Sequence, residues 1–168
     1  MTGLDDLRNL ARERPLLTLV VSVLVVEVVG ASGSVFTVSG LDWYATLQRP
    51  SLSPPNWVFG PVWTLLFALI GAGVWLVWRR AGSSPRKVRL ALVVFAVHFV
   101  FNLGWSAAFF GAQNVGLGLL VIVVLWALIV VTIWAFTRVD RRAGLVLVPY
   151  LAWVSFAAYL NYGLWTLN

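Results

Sequence analysis

Five apolar runs, each about as long as a helix that crosses a bilayer, dominate what this chain can become. They cover roughly residues 16 to 38, 59 to 78, 88 to 110, 115 to 137 and 144 to 166, each near the ~20 residues that span a hydrocarbon core about 30 Å thick. Lipid offers no hydrogen-bond partner, so a spanning backbone must satisfy itself as a helix or a closed barrel. Unbroken apolar runs lack the alternation of a barrel strand. The sequence therefore predicts an all-α membrane protein, a five-transmembrane-helix bundle that forms one domain over residues 1–168, with a structured external loop over 39–58.

Orientation follows from Lys and Arg, which are retained on the cytoplasmic side. Arg8, Arg12 and Arg14 precede the first run; Arg79, Arg80, Arg86, Lys87 and Arg89 follow the second; Arg138, Arg141 and Arg142 follow the fourth. Of twelve basic residues only Arg49 falls on the other side. The N-terminus is thus expected in the cytoplasm and the C-terminus outside. The net charge of +6 is explained by this pattern and by anionic lipid headgroups, which leaves no case for nucleic acid. A cleaved leader is the alternative for the first run, given small Ala31, Ser32, Gly33 and Ser34; Asp5, Asp6, Glu13 and Glu27 argue against it. With no cysteine, disulfides, thiolate metal sites and covalent haem attachment are excluded.

Polar residues inside membrane helices are costly and point to function. In the third run, His98, Asn102, Trp105, Ser106 and Phe109 share one side at helical spacing, and Gly104, Ala108 and Gly111 the other. The small-residue side suits close approach of another helix, including one from a second copy in a homodimer. His98 is the sole histidine and no second ligand stands at helical spacing, so a hydrogen-bonded packing role is expected and no metal. Glu27 shares a face with Gly30, Ala31 and Ser34; a partner in the bundle and a ligand are both open to it. In the fifth run Pro149 is expected to bend the helix. Trp153, Ala157 and Asn161 form a stripe that spacing alone reads as helix packing. Ten tryptophans exceed what interfacial belts need. Trp63, Trp105 and Trp153 belong to the polar motifs of three helices, and flat π-faces with a few hydrogen-bonding groups suit a planar, largely apolar ligand.

The stretch GLDWYATLQRPSLSPPNWVFGPVW, residues 40 to 63, connects the first two runs. Pro50, Pro54 and Pro55 fix their own φ and bias their predecessors towards extended geometry, so the segment holds a shape. Asn56 is the expected N-cap of the second helix. The segment reads either as a stiff turn or as a lid over one end of the bundle.

The run WYATLQRPSLSPPNWVFGPVWTLLFALIGAGVWLVW, the motif NLGWSAAFFGAQ and the motif PYLAWVSFAAYLNYGLW resemble, in order and over essentially the whole chain, the translocator protein family, also called tryptophan-rich sensory proteins or peripheral-type benzodiazepine receptors. The resemblance implies a five-helix membrane protein, commonly a homodimer, in the cytoplasmic membrane of a prokaryote. It implies binding of porphyrins such as protoporphyrin IX, and of isoquinoline or benzodiazepine-type compounds, in a pocket beneath the first loop. Carried onto this sequence, the ligand-binding residues are Trp43, Tyr44, Trp57, Trp63, Asn102, Trp105, Trp153 and Ala157. In some bacterial members the tryptophans matching Trp63 and Trp153 are implicated in light- and oxygen-dependent porphyrin breakdown, which would make these two the reactive pair. Porphyrin enters as ligand, and no cofactor is called for. A sensor or regulator of porphyrin is the leading expectation, a transporter of porphyrins or other amphiphiles the alternative. The sterol-recognition pattern of animal members, a basic residue after the tyrosine, has no counterpart after Tyr159 or Tyr162, so sterol transport is not expected.

Overall fold

The structure, a computed structural model, describes residues 13–168. Arg8 and Arg12, counted in the topology, and Asp5 and Asp6, weighed against a leader, lie outside the described residues. Among the described residues five helical segments are long and apolar enough to cross a membrane: Pro15–Thr46, Asn56–Trp78, Pro85–Gly111, Val115–Thr137 and Arg141–Leu167. The first is built of α1 (Pro15–Ala31) and α2 (Ser34–Thr46). The second is a short 3₁₀ turn, Asn56–Val58, running into α3 (Phe59–Trp78). The third is α4 (Pro85–Ser106) with a π turn at Ala107–Gly111. The fourth is α5 (Val115–Thr137), and the fifth is α6 (Arg141–Leu145) followed by α7 (Val148–Leu167).

Three local expectations change. Helix continues from Ser34 to Thr46, so the connection shortens and Trp43 and Tyr44 stand on helix rather than in a loop. The SGLDWYAT segment is polar for a membrane, but it packs against the π turn, and that tertiary contact overrides the sequence signal. At Gly40 a Cβ would sit 2.7 Å from the Phe110 carbonyl oxygen, so only glycine permits the approach. Pro149 lies in the first turn of α7, where a missing N–H breaks no helical hydrogen bond; the interruption comes before it, between α6 and α7. Asn56 makes no cap; Pro55 occupies that position and the Asn56 Oδ1 accepts instead from Arg49 Nη1 at 3.2 Å.

Between membrane helices there is no water to expel, so association rests on close packing and interhelical hydrogen bonds. The first and second spans show both. A Cβ at Gly71 would lie 2.6 Å from Val23 Cα, Ser22 Oγ donates to the Gly71 carbonyl at 2.8 Å, and Trp75 Nε1 donates to Thr18 Oγ1 at 3.1 Å. The third span packs along the fourth and the fourth along the fifth, whereas α3 touches α4 and α7 only lightly. The bundle is therefore closed on two sides and loose where the first, second, third and fifth spans face one another.

Each end is clasped. At one, Asn168 Nδ2 donates to the Gln48 carbonyl at 3.1 Å and the Gln48 N–H to Asn168 Oδ1 at 3.0 Å. At the other, Arg80 Nη2 meets Asp140 Oδ2 at 2.9 Å, while Asp140 Oδ1 accepts from the Arg142 N–H at the start of α6. Burial by itself would raise the Asp140 carboxyl, but hydrogen bonds from Arg80 and the Arg142 amide and the charge of both arginines hold it below its ordinary value.

Two outcomes are expected. Gly71→Ala forces the first two spans apart and lowers stability by about 1–3 kcal/mol, read as thermal unfolding in detergent, whereas Gly104→Ala, with nothing within 4 Å of the new Cβ, does not. Asp140→Asn keeps the cap but loses the charge. A carboxylate lowered on folding stabilises above its ordinary unfolded value of about 3.9 and loses that contribution as acid carries it through the lower folded value. The variant is therefore less stable than its parent at pH 7 by up to about 1 kcal/mol, and the difference vanishes in strong acid.

Candidate functional site

Where the spans are loose, an elongated cavity of about 350 Å³ opens, within the size range of small-molecule sites. The first span contributes Glu27, Gly30, Ser34, Thr37 and Tyr44; α3 and the turn before it contribute Asn56, Phe59, Trp63 and Phe67; the third span contributes Asn102, Trp105, Ser106 and both phenylalanines of the π turn; α7 contributes Ala157 and Asn161. The surface is mostly aromatic and aliphatic, with isolated amides and hydroxyls. That combination grips a flat apolar body and fixes its orientation by a few polar contacts.

Of the sequence-predicted ligand residues, Tyr44, Trp63, Asn102, Trp105 and Ala157 line this cavity and Trp43, Trp57 and Trp153 do not. Trp57 is 74% exposed. Trp43 stands edge-on to Phe109, ring centroids 5.4 Å apart, behind the wall. Trp153 packs against Phe59 at 5.8 Å, with its indole N–H buried and unpaired among the described residues. The two tryptophans named as the reactive pair are thus unequal: Trp63 is in the wall, Trp153 behind it. Phe67 and Asn161 line the cavity without being among the predicted ligand residues, and Glu27, to which a bundle partner and a ligand were both open, lines it as well. Asn161 had a signal in the sequence, its place on the stripe with Ala157.

Two polar hubs shape the walls. Tyr150 is wholly buried; its Oη accepts from Asn102 Nδ2 at 2.9 Å and lies 3.2 Å from His98 Nε2. The one hydroxyl thus ties both His98 and Asn102 of the third span to the fifth. His98 is thereby a hydrogen-bonded packing residue, and Asn102 is oriented at the cavity surface from behind. Asn161 is the second hub: its Oδ1 accepts from Trp105 Nε1 at 3.1 Å and its Nδ2 donates to the Val115 carbonyl at 2.9 Å, joining the third, fourth and fifth spans. Trp105 in turn stacks on Phe109 at 5.4 Å, and Trp63 stands edge-on to Tyr150 at 6.2 Å.

The small-residue side of the third span is divided. Ala108 is buried within the chain and Gly111 lies against Phe36 of α2, leaving Gly104 open. The reason is the π turn, whose i→i+5 hydrogen bond from the Ala112 N–H to the Ala107 carbonyl (2.8 Å) breaks the spacing that placed all three on one face.

Tyr150→Phe leaves two buried polar groups without their shared partner and is expected to lower stability by about 1–3 kcal/mol in thermal unfolding. Tyr159→Phe, on an exposed ring, should stay within about 0.5 kcal/mol of the parent.

The sequence profile of the TspO/MBR family matches residues 22–166. A tryptophan-rich protein TspO of Chlorobaculum tepidum is 46% identical over 156 residues, 92% of this chain and 98% of that protein. The translocator protein of Homo sapiens is 39% identical over 129 residues, 77% of this chain and 76% of its own. A tryptophan-rich sensory protein of Cereibacter sphaeroides is 36% identical over 127 residues, 76% of this chain and 77% of its own.

Proposed function

Because this chain, an integral multi-pass membrane protein, belongs to the TspO/MBR family, we propose that it binds a porphyrin such as protoporphyrin IX in its cavity and acts as a membrane sensor or regulator of that ligand. One observation carries the reading: Trp63, Trp105, Tyr44 and Phe67 converge from three spans on one apolar cavity that also presents Asn102 and Asn161. A macrocycle offers such walls two flat faces to stack on and a polar edge for the amides. The names of two relatives, "tryptophan-rich sensory protein" and "translocator protein", agree with a role that turns on a bound small molecule.

The reading assigns unequal parts to the tryptophans. Trp63 and Trp105 touch the ligand, Trp153 backs Phe59, and Trp57 takes no part. Any light-driven chemistry between ligand and indole falls first on Trp63. The Arg49 end of the bundle faces away from the cytoplasm in this reading, so the ligand enters beneath residues 47–55.

Titrating the detergent-solubilised protein with protoporphyrin IX should quench indole fluorescence and shift the porphyrin absorption band. Trp63→Leu should weaken binding about tenfold, which is about 1.4 kcal/mol, while Trp57→Leu leaves it unchanged. Absence of quenching in the parent, or equal affinity in the parent and Trp63→Leu, would rule the reading out.

A further inference from the structure

Glu27 is the one charged residue that lines the cavity, and a cation, Arg49, stands outside the lining against two residues that belong to it. Glu27 lines it near the end of α1, and Tyr44 lines it near the end of α2. At ~1.5 Å per residue these positions are about 25 Å apart along the span. Beside Tyr44 stands Arg49, with its guanidinium carbon 5.0 Å from the Tyr44 ring centroid and its Nη1 donating to Asn56 at 3.2 Å. Tyr44 and Asn56 both line the cavity, so the cation is held at the rim by two of its walls. Only one guanidinium N–H is engaged by Asn56, which leaves the rest of the fork free for a carboxylate. Among the described residues Arg49 has no carboxylate partner, although Asp42 lies exposed on α2 at the same end. Every other described Lys or Arg sits at the opposite end of the bundle.

Glu27 is the one acidic residue in the lining, among neutral hydroxyls, amides and apolar groups. No side-chain hydrogen bond or ion pair ties it to the bundle among the described residues. No Lys or Arg lines the cavity beside it, so a second carboxylate here would find no counter-charge, and an ionised Glu27 repels it.

We propose that the cavity is charge-polarised and selects orientation: Arg49 receives a ligand carboxylate at the rim, while Glu27 keeps the base free of one. The apolar body of an amphiphilic acid then points inward and its acid group outward. The assignment of Arg49 and Glu27 as specificity-determining residues rests on the reading that a porphyrin acid occupies the cavity, and it adds which way round that ligand sits.

Protoporphyrin IX, with two carboxylates, and its dimethyl ester, with none, separate the two ideas. In a non-ionic detergent, Arg49→Gln should weaken the free acid about tenfold and leave the ester within about twofold. Arg49→Lys should retain part of the acid's affinity, because the charge remains but the fork is lost. Glu27→Gln should tighten the acid about two- to fivefold without changing the ester. Equal losses for acid and ester in Arg49→Gln would overturn the proposal, since Arg49 would then act through the connection or a lipid headgroup; so would no loss at all. In both cases the parent still binds porphyrin and the broader reading stands. If the parent binds neither compound, the porphyrin reading fails and the orientation proposal falls with it.

Discussion

Hydrocarbon offers no partner to an N–H or an O–H, and the arrangement of the five spans follows from how their polar side chains meet that constraint. Thr18 and Ser22 join the first span to Trp75 and Gly71 of the second. His98 and Asn102 of the third converge on Tyr150 of the fifth. Asn161 links the fifth to Trp105 and to the Val115 carbonyl, and Trp126 of the fourth reaches Ser155 at 2.8 Å. Such bonds contribute only about 0.6–2 kcal/mol each in a membrane. Their larger effect is on register: a slip of one residue in any span would leave a buried donor or acceptor unpaired. Apolar packing between Leu, Val and Ile discriminates far less between neighbouring registers, because lipid chains compete for the same surface.

The same constraint decides what could be read from the sequence. The spans were legible because a spanning helix must be long and apolar whatever it packs against; the family was legible because its motifs run in order through the loop and three helices. Local geometry was not legible where a tertiary contact sets it. Residues 39–46 look like loop by hydropathy, yet they stay helical because Gly40 allows α2 to lie against the Phe110 backbone. The angular spacing of the third span holds through Ser106 and fails at the π turn, which turns both Ala108 and Phe109 inward. Trp63 and Trp153 looked equivalent as indoles in polar motifs. They differ because Phe59 stands between Trp153 and the open space, and no spacing rule reports what occupies the gap between two helices.

An apolar cavity inside a bundle is itself a cost, because its walls forgo dispersion contacts that closure would restore. It persists when the side chains around it are already committed elsewhere. Trp105 is held by Asn161 and stacked on Phe109; Phe109 is braced by Trp43 from behind and by Tyr44 beside it in the wall. Trp63 leans on Phe67 at 5.2 Å and on Tyr150, whose hydroxyl is fixed by two partners. Collapse of any one wall would break an aromatic contact or a buried hydrogen bond behind it. Trp43 and Trp153 therefore belong to the site as supports even though neither lines it. A rigid, open space of this kind lets a flat ligand enter without first paying to order the side chains that receive it.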